Sequence, residues 1–187
     1  MRNFLIIVVI IIAIIGSFSL YRNKVLAPET APDAKNMQTL KITSSVFEEN
    51  KIIPPKYTCD GENINPPLEI SGIPENSKSL VLIMNDPDAP MGVWDHWIKW
   101  NIPVTGESMV FGEGEEPAGI SGKNSGGKFS YQGPCPPNGE HRYFFKIYAL
   151  NSTLNLPEGS GRKETEKAMG AYIIASGELM GRYNRTK

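Results

Sequence analysis

Hydrophobic residues run without interruption from Phe4 to Ile15 and thin out towards Tyr21, with Arg2 before them and Arg22 and Lys24 after them. At about 18 residues the stretch is long enough to cross a bilayer as a helix. No polar face breaks it, which argues against a buried helix of a globular core. No convincing small-x-small cleavage site follows closely between Gly16 and Ala27. Residues 1–24 therefore read as an uncleaved N-terminal membrane anchor, with secretion after signal cleavage as the alternative. Basic residues at both ends leave the positive-inside rule silent, so an extracytoplasmic domain is expected from the ordinary behaviour of such anchors. Residues 25–37, VLAPETAPDAKNM, carry prolines, alanines and charges but no apolar period, and read as a spacer.

Beyond the spacer the periodicity changes to that of strands. KSLVLIMNDPD is a short apolar run closed by proline, HWIKWNIP alternates, and HRYFFKIYAL is aromatic and β-branched with an Asn-Gly turn before it. AYIIASGELMGRY near the C-terminus returns to the same pattern. One stretch, GSGRKETEKAMG, predicts a helix, with Ser160 as N-cap and Gly170 ending it. These elements predict one mainly β domain over residues 38–187 with a short helix near its C-terminus.

Composition narrows the partners. The 187 residues carry a net charge of −1 with no basic cluster, which speaks against nucleic acid. Cys59 and Cys135 are the two cysteines, too few for a disulfide framework and without the spacing of a zinc or redox motif. One disulfide or two free thiols both fit.

The polar residues capable of chemistry are bunched. Asp86 and Asp88 follow the apolar run directly and are bracketed by Pro87 and Pro90, which restrict the backbone and predict an ordered corner. Ala89-Pro90 is a candidate for the minority cis form. The two histidines, His96 and His141, each stand at the start of a predicted strand beside a Pro/Gly loop, and tryptophans flank His96. Taken alone each histidine is a structural residue of a strand edge; taken together they suggest a shared pocket. GKNSGGKFSYQGPCPPNGEHRY is a Gly/Pro loop with accessible amides, although it lacks the spacing of a nucleotide-phosphate loop. A hydrolase triad of Ser125 or Ser130 with His141 and Asp86 can be written down, but no nucleophile-elbow pattern supports it.

Four motifs in one order, DPDAP, WDHW, GPCPP and HRYFFKIYAL, resemble the phosphatidylethanolamine-binding protein family, and CDGENINPPLEISGIP is similar to its bacterial and archaeal Raf-kinase-inhibitor-like branch. The resemblance covers residues 38–187. It implies two antiparallel β-sheets, the larger one central, and a small pocket for phosphate-like or carboxylate anions. It carries over Asp86, Asp88 and Pro90 from the first motif, Trp94 and His96 from the second, Gly133, Cys135 and Pro136 from the third, and His141 and Tyr143 from the last. It also brings Cys59 and Cys135 to one end of the domain, where a disulfide is expected in an oxidising compartment, with a pair of free thiols as the alternative. Where members from higher organisms have a second histidine before the one matching His96, this chain has Asp95, expected to add an acid at the pocket mouth.

Two carboxylates beside an anion site should repel the ligand. The expected resolution is that an aspartate orients or protonates a histidine, which then donates to the anion. The leading expectation is a protein that binds a small anion, with no cofactor or metal. The alternatives are an inhibitor of a protease or kinase acting through the pocket rim, and a hydrolase using Asp86, Asp88, His96 and His141 as a metal or acid-base cluster.

Overall fold

The computed structural model describes residues 37–185, and the anchor and spacer expected over residues 1–37 lie outside these except for Met37. Among the described residues no helix is long and apolar enough to cross a membrane. The membrane-anchored, extracytoplasmic placement is corrected accordingly: the one α-helix described has eight residues, with Thr165 and Met169 buried.

The strands are β1 (Gln38–Thr39), β2 (Lys41–Thr43), β3 (Lys51–Ile52), β4 (Leu68–Ser71), β5 (Ser79–Asp86), β6 (Trp94–Pro103), β7 (Ser108–Phe111), β8 (Ile120–Ser121), β9 (Glu140–Leu150) and β10 (Ile173–Asn184), with helix α1 (Arg162–Met169) before the last. Seven strands form the large sheet in the order β1-β10-β9-β5-β6-β8, with β3 also on β10; the small sheet is β2-β4-β7. All pairings are antiparallel except those of β1 and β3, which lie parallel to β10. The mainly β architecture of two sheets with a large central one is thus as the sequence predicts, apart from these two parallel edges.

Period-two alternation divides the core. Leu80, Leu82 and Met84 of β5 and Tyr143, Phe145 and Ile147 of β9 pack with Leu68, Ile70 and Phe111 of the small sheet. Val81 and Ile83 of β5, with Ile98 and Trp100 of β6, meet Leu154 and Met169 on the opposite face. Both faces of β5 are covered, which is why it reads as a continuous apolar run rather than an alternating one.

Helix α1 starts one residue later than predicted. Gly161 is its N-cap, while the Ser160 hydroxyl donates to Pro157 O at 2.8 Å instead of capping. Thr165 Oγ1 donates back to Gly161 O at 2.9 Å, and Gly170 ends the helix as expected.

Candidate functional site

Strands β5, β6 and β9 are neighbours in the large sheet, and the end of β5 lies beside the starts of the other two. Asp86 continues the inward series Leu80, Leu82, Met84. His141 and Tyr143 begin the inward series of β9. The position of His96 needs one more device, a register shift between Met84 and Asn85: Met84 opposes Trp97 while Asn85 opposes Asp95, so His96 is the extra residue. Such a bulge re-aims a side chain. It turns His96 to the Tyr143 face and leaves Asp95 on the other.

These residues surround a cavity of ≈ 400 Å³ lined by Asp86, Pro90, Trp94, His96, His141 and Tyr143, with Ala89, Met91, Gln132, Cys135 and Pro137 completing its wall. His141 Nδ1–H donates to Asp86 Oδ2 at 2.7 Å, with both side chains buried. His96 Nδ1–H donates to Gln132 O at 2.6 Å. Burial pulls the His96 pKa below its ordinary value. The Tyr143 hydroxyl is buried and finds no hydrogen-bond partner among the described residues. Burial first, and the charge of Asp86 second, push its pKa well above the usual phenol value. Asp86 Oδ1 accepts the backbone N–H of Asp88 at 2.8 Å, so the corner after β5 is held by the carboxylate it presents. The Ala89-Pro90 bond is trans.

Seven of the ten residues carried over by motif line this cavity: Asp86, Pro90, Trp94, His96, Cys135, His141 and Tyr143. Asp88 does not. Its two oxygens accept three hydrogen bonds from the Arg142 backbone and guanidinium at 2.7–3.0 Å, which lower its pKa to about 2. Arg142 alternates with His141 and Tyr143 and leaves on the other face, taking Asp88 with it. Gly133 and Pro136 also stand outside the lining. Gly133 is where the rim presses on its neighbour: a Cβ there would lie 2.5 Å from Tyr57 O, and its N–H donates to Asn63 Oδ1 at 2.8 Å. Cys59 and Cys135 form a disulfide. Together with Tyr131 O–H donating to Tyr57 O at 2.7 Å, it fastens the segment around residue 59 to the rim.

One further expectation is corrected, and two other features of the sequence fall outside the cavity. Asp95 is not at the mouth, because it pairs with Arg162 of α1 at 2.6 Å; burial, its first influence, raises its pKa despite this partner. Of the tryptophans flanking His96 only Trp94 walls the cavity, while Trp97 sits in the core against Tyr131 and donates to Glu116 at 2.9 Å. The paper triad is not assembled. Ser125 Oγ accepts the Asp95 N–H at 2.9 Å, and neither Ser125 nor Ser130 lines the cavity beside Asp86 and His141. Among the described residues no group of three or more His, Cys, Asp or Glu is placed to hold a metal. Ala89, Met91, Gln132 and Pro137 were missed; Ala89 and Pro137 lie inside DPDAP and GPCPP and Met91 and Gln132 adjoin them, so membership of or adjacency to these motifs was the signal available.

Known proteins resemble this chain in sequence and in fold. The family model described as phosphatidylethanolamine-binding protein matches residues 43–184. The UPF0098 protein PH1269 of Pyrococcus horikoshii is 53% identical over 154 residues, covering 79% of this chain and 77% of the relative. The UPF0098 protein of Methanothermobacter thermautotrophicus is 45% identical over 78% of this chain and 99% of its own. Among solved structures, a phosphatidylethanolamine-binding protein homolog from Chlamydia trachomatis superposes with a TM-score of 0.74 at 40% identity, over 80% of this chain and 99% of the other. YbcL of E. coli, described as a member of the mammalian family, gives 0.71 at 29% identity over 79% and 99%. With a family model spanning most of the chain, and with relatives of 53% and 45% identity, this protein belongs to the phosphatidylethanolamine-binding protein family.

Proposed function

We propose that the cavity between β5, β6 and β9 binds a small anion, phosphate or the phosphate-bearing group of a larger ligand. The observation that carries this reading is the Asp86–His141 pair, whose 2.7 Å hydrogen bond commits Nδ1 and leaves Nε2 of His141 as the remaining polar atom of the ring. With Nε2 also protonated, the imidazolium balances Asp86 and the pair is neutral, so an anion meets a donor without net repulsion. The unpartnered Tyr143 hydroxyl supplies a second donor. Asp88, neutralised by Arg142, adds no repulsion at the lining. The apolar walls, Ala89, Pro90, Met91, Trp94 and Pro137, reduce the competition of water for these donors.

Calorimetric titration with phosphate, phosphoethanolamine and acetate tests the reading. Saturable binding abolished by His141→Ala and strongly weakened by Tyr143→Phe is expected. Unchanged affinity in both variants, or no binding of any of the three, defeats it. In the second event the rim becomes the better candidate, because Met91 is 95% exposed and Val93 44% exposed beside the cavity, as an interface with a protein partner such as a protease or kinase would require.

A further inference from the structure

The hydrogen bond at His96 determines more than the orientation of the ring. A carbonyl oxygen has no proton to give, so the 2.6 Å contact with Gln132 O places the proton on Nδ1. His96 is 4% exposed, and burial favours its neutral form. A neutral imidazole protonated at Nδ1 has a bare lone pair at Nε2, and no group among the described residues donates to it. The neighbours facing the ring are Asp86 at the end of β5, whose charge favours the imidazolium, and His141 on β9, whose charge opposes it. Tyr143 meets it edge-on at 5.3 Å between centroids, and the loop contributes the Gln132 and Gly133 carbonyls, which favour a proton on the ring against the larger effect of burial. The cavity therefore presents an uncharged acceptor at Nε2 of His96 beside the Tyr143 hydroxyl and, when its Nε2 is also protonated, the imidazolium of His141.

We propose that His96 makes the pocket selective for tetrahedral anions that still carry a proton, namely inorganic hydrogen phosphate and singly protonated phosphomonoesters, over fully deprotonated ones such as sulfate. The proposal rests on the anion reading above and specifies its ligand. In a matched complex the P–OH of the ligand donates to Nε2 of His96, while unprotonated oxygens accept from Tyr143 O–H and His141 Nε2–H. A fully deprotonated anion sets an oxygen lone pair against the Nε2 lone pair, with water excluded and no proton between them. An unsatisfied buried pair of this kind costs about 10- to 100-fold in affinity.

Calorimetric titrations of the protein with inorganic phosphate, methyl phosphate and sulfate at about pH 7.5 isolate the proton. All three are then mainly tetrahedral dianions, but only inorganic phosphate keeps an O–H, since a phosphomonoester loses its second proton near pH 6. Phosphate is expected to bind about 10- to 100-fold more tightly than the other two. At about pH 5.5 methyl phosphate regains its proton and is expected to approach phosphate, while sulfate stays behind. His96→Gln, whose amide turns either its oxygen or its NH₂ to the ligand, should bring the phosphate-to-sulfate ratio to within about threefold. If that variant fails to fold, the wild-type ratios still decide. Sulfate binding within about threefold of phosphate at both pH values overturns the proposal and leaves the anion reading standing. If none of the three binds at either pH, both fall together.

Discussion

Asp86 and His141, 55 positions apart in the chain, meet at 2.7 Å across the adjacent strands β5 and β9. The carboxylate holds the imidazole by Nδ1, so the other nitrogen is oriented before any ligand arrives. This preorganisation makes the pair the first target for mutation.

Asp86→Asn keeps the shape of the side chain and removes its charge. Without that charge nothing balances a proton on Nε2 of His141, and phosphate affinity at about pH 6 should fall by about tenfold. Calorimetry reads this directly. If affinity rises instead, the carboxylate acts on the anion only as a repelling charge, and the orienting role is wrong.

His96 couples folding to pH. Its folded-state pKa lies below the ordinary 6.5 because burial disfavours the imidazolium, so between the two values the unfolded chain binds more protons. The stability that His96 contributes is fully present above about 6.5 and is lost as pH falls through the lower folded-state value. Thermal melting between about pH 8 and pH 5 should show a falling midpoint, and His96→Gln should flatten that slope. An unchanged slope in the variant would assign the loss to other groups.

The Arg142–Asp88 pair makes a contrasting case. Its side chains are 51% and 28% exposed, so Arg142→Ala should cost no more than about 1 kcal/mol. Because the folded-state pKa of Asp88 is lowered to about 2 from 3.8, its contribution is present above 3.8 and lost as pH falls towards 2. Phosphate affinity should change less than about twofold, since neither residue lines the cavity. A tenfold loss would bring Asp88 back into the site.

The disulfide joins residues separated by 76 positions. Replacing Cys59 by Ser should lower stability by about 2–5 kcal/mol, most of it through the unfolded chain. Because Cys135 is part of the cavity wall, phosphate affinity measured well below the new melting temperature should also fall. Equal affinity in the two proteins would show that the hydrogen bonds of Tyr131 O–H to Tyr57 O and of Gly133 N–H to Asn63 hold the rim unaided.

Local patterning already carried much of this fold. Alternation and β-branching in the segments that became β5, β6, β9 and β10 depend on neighbours a few positions away. So does the helix marked by its charged body and closing glycine. The helix start was misread because Gly161 and Ser160 are both plausible caps, and only the position of Pro157 O decided which way the serine hydroxyl turned.

The sequence by itself determined which residue types gather near the site: DPDAP, WDHW and HRY each bring their side chains to a strand end, GPCPP lies in the loop before β9, and the odd-even rule sets His141 and Tyr143 on one face and Arg142 on the other. Only the tertiary structure decided which of them share the cavity. Asp88 was lost to Arg142, Asp95 to Arg162, and His96 was gained through a bulge, because each outcome depends on the register between strands and on partners as many as 67 positions away. Local periodicity states that a side chain alternates. It does not state where one extra residue will shift the alternation, nor which distant guanidinium will claim a carboxylate.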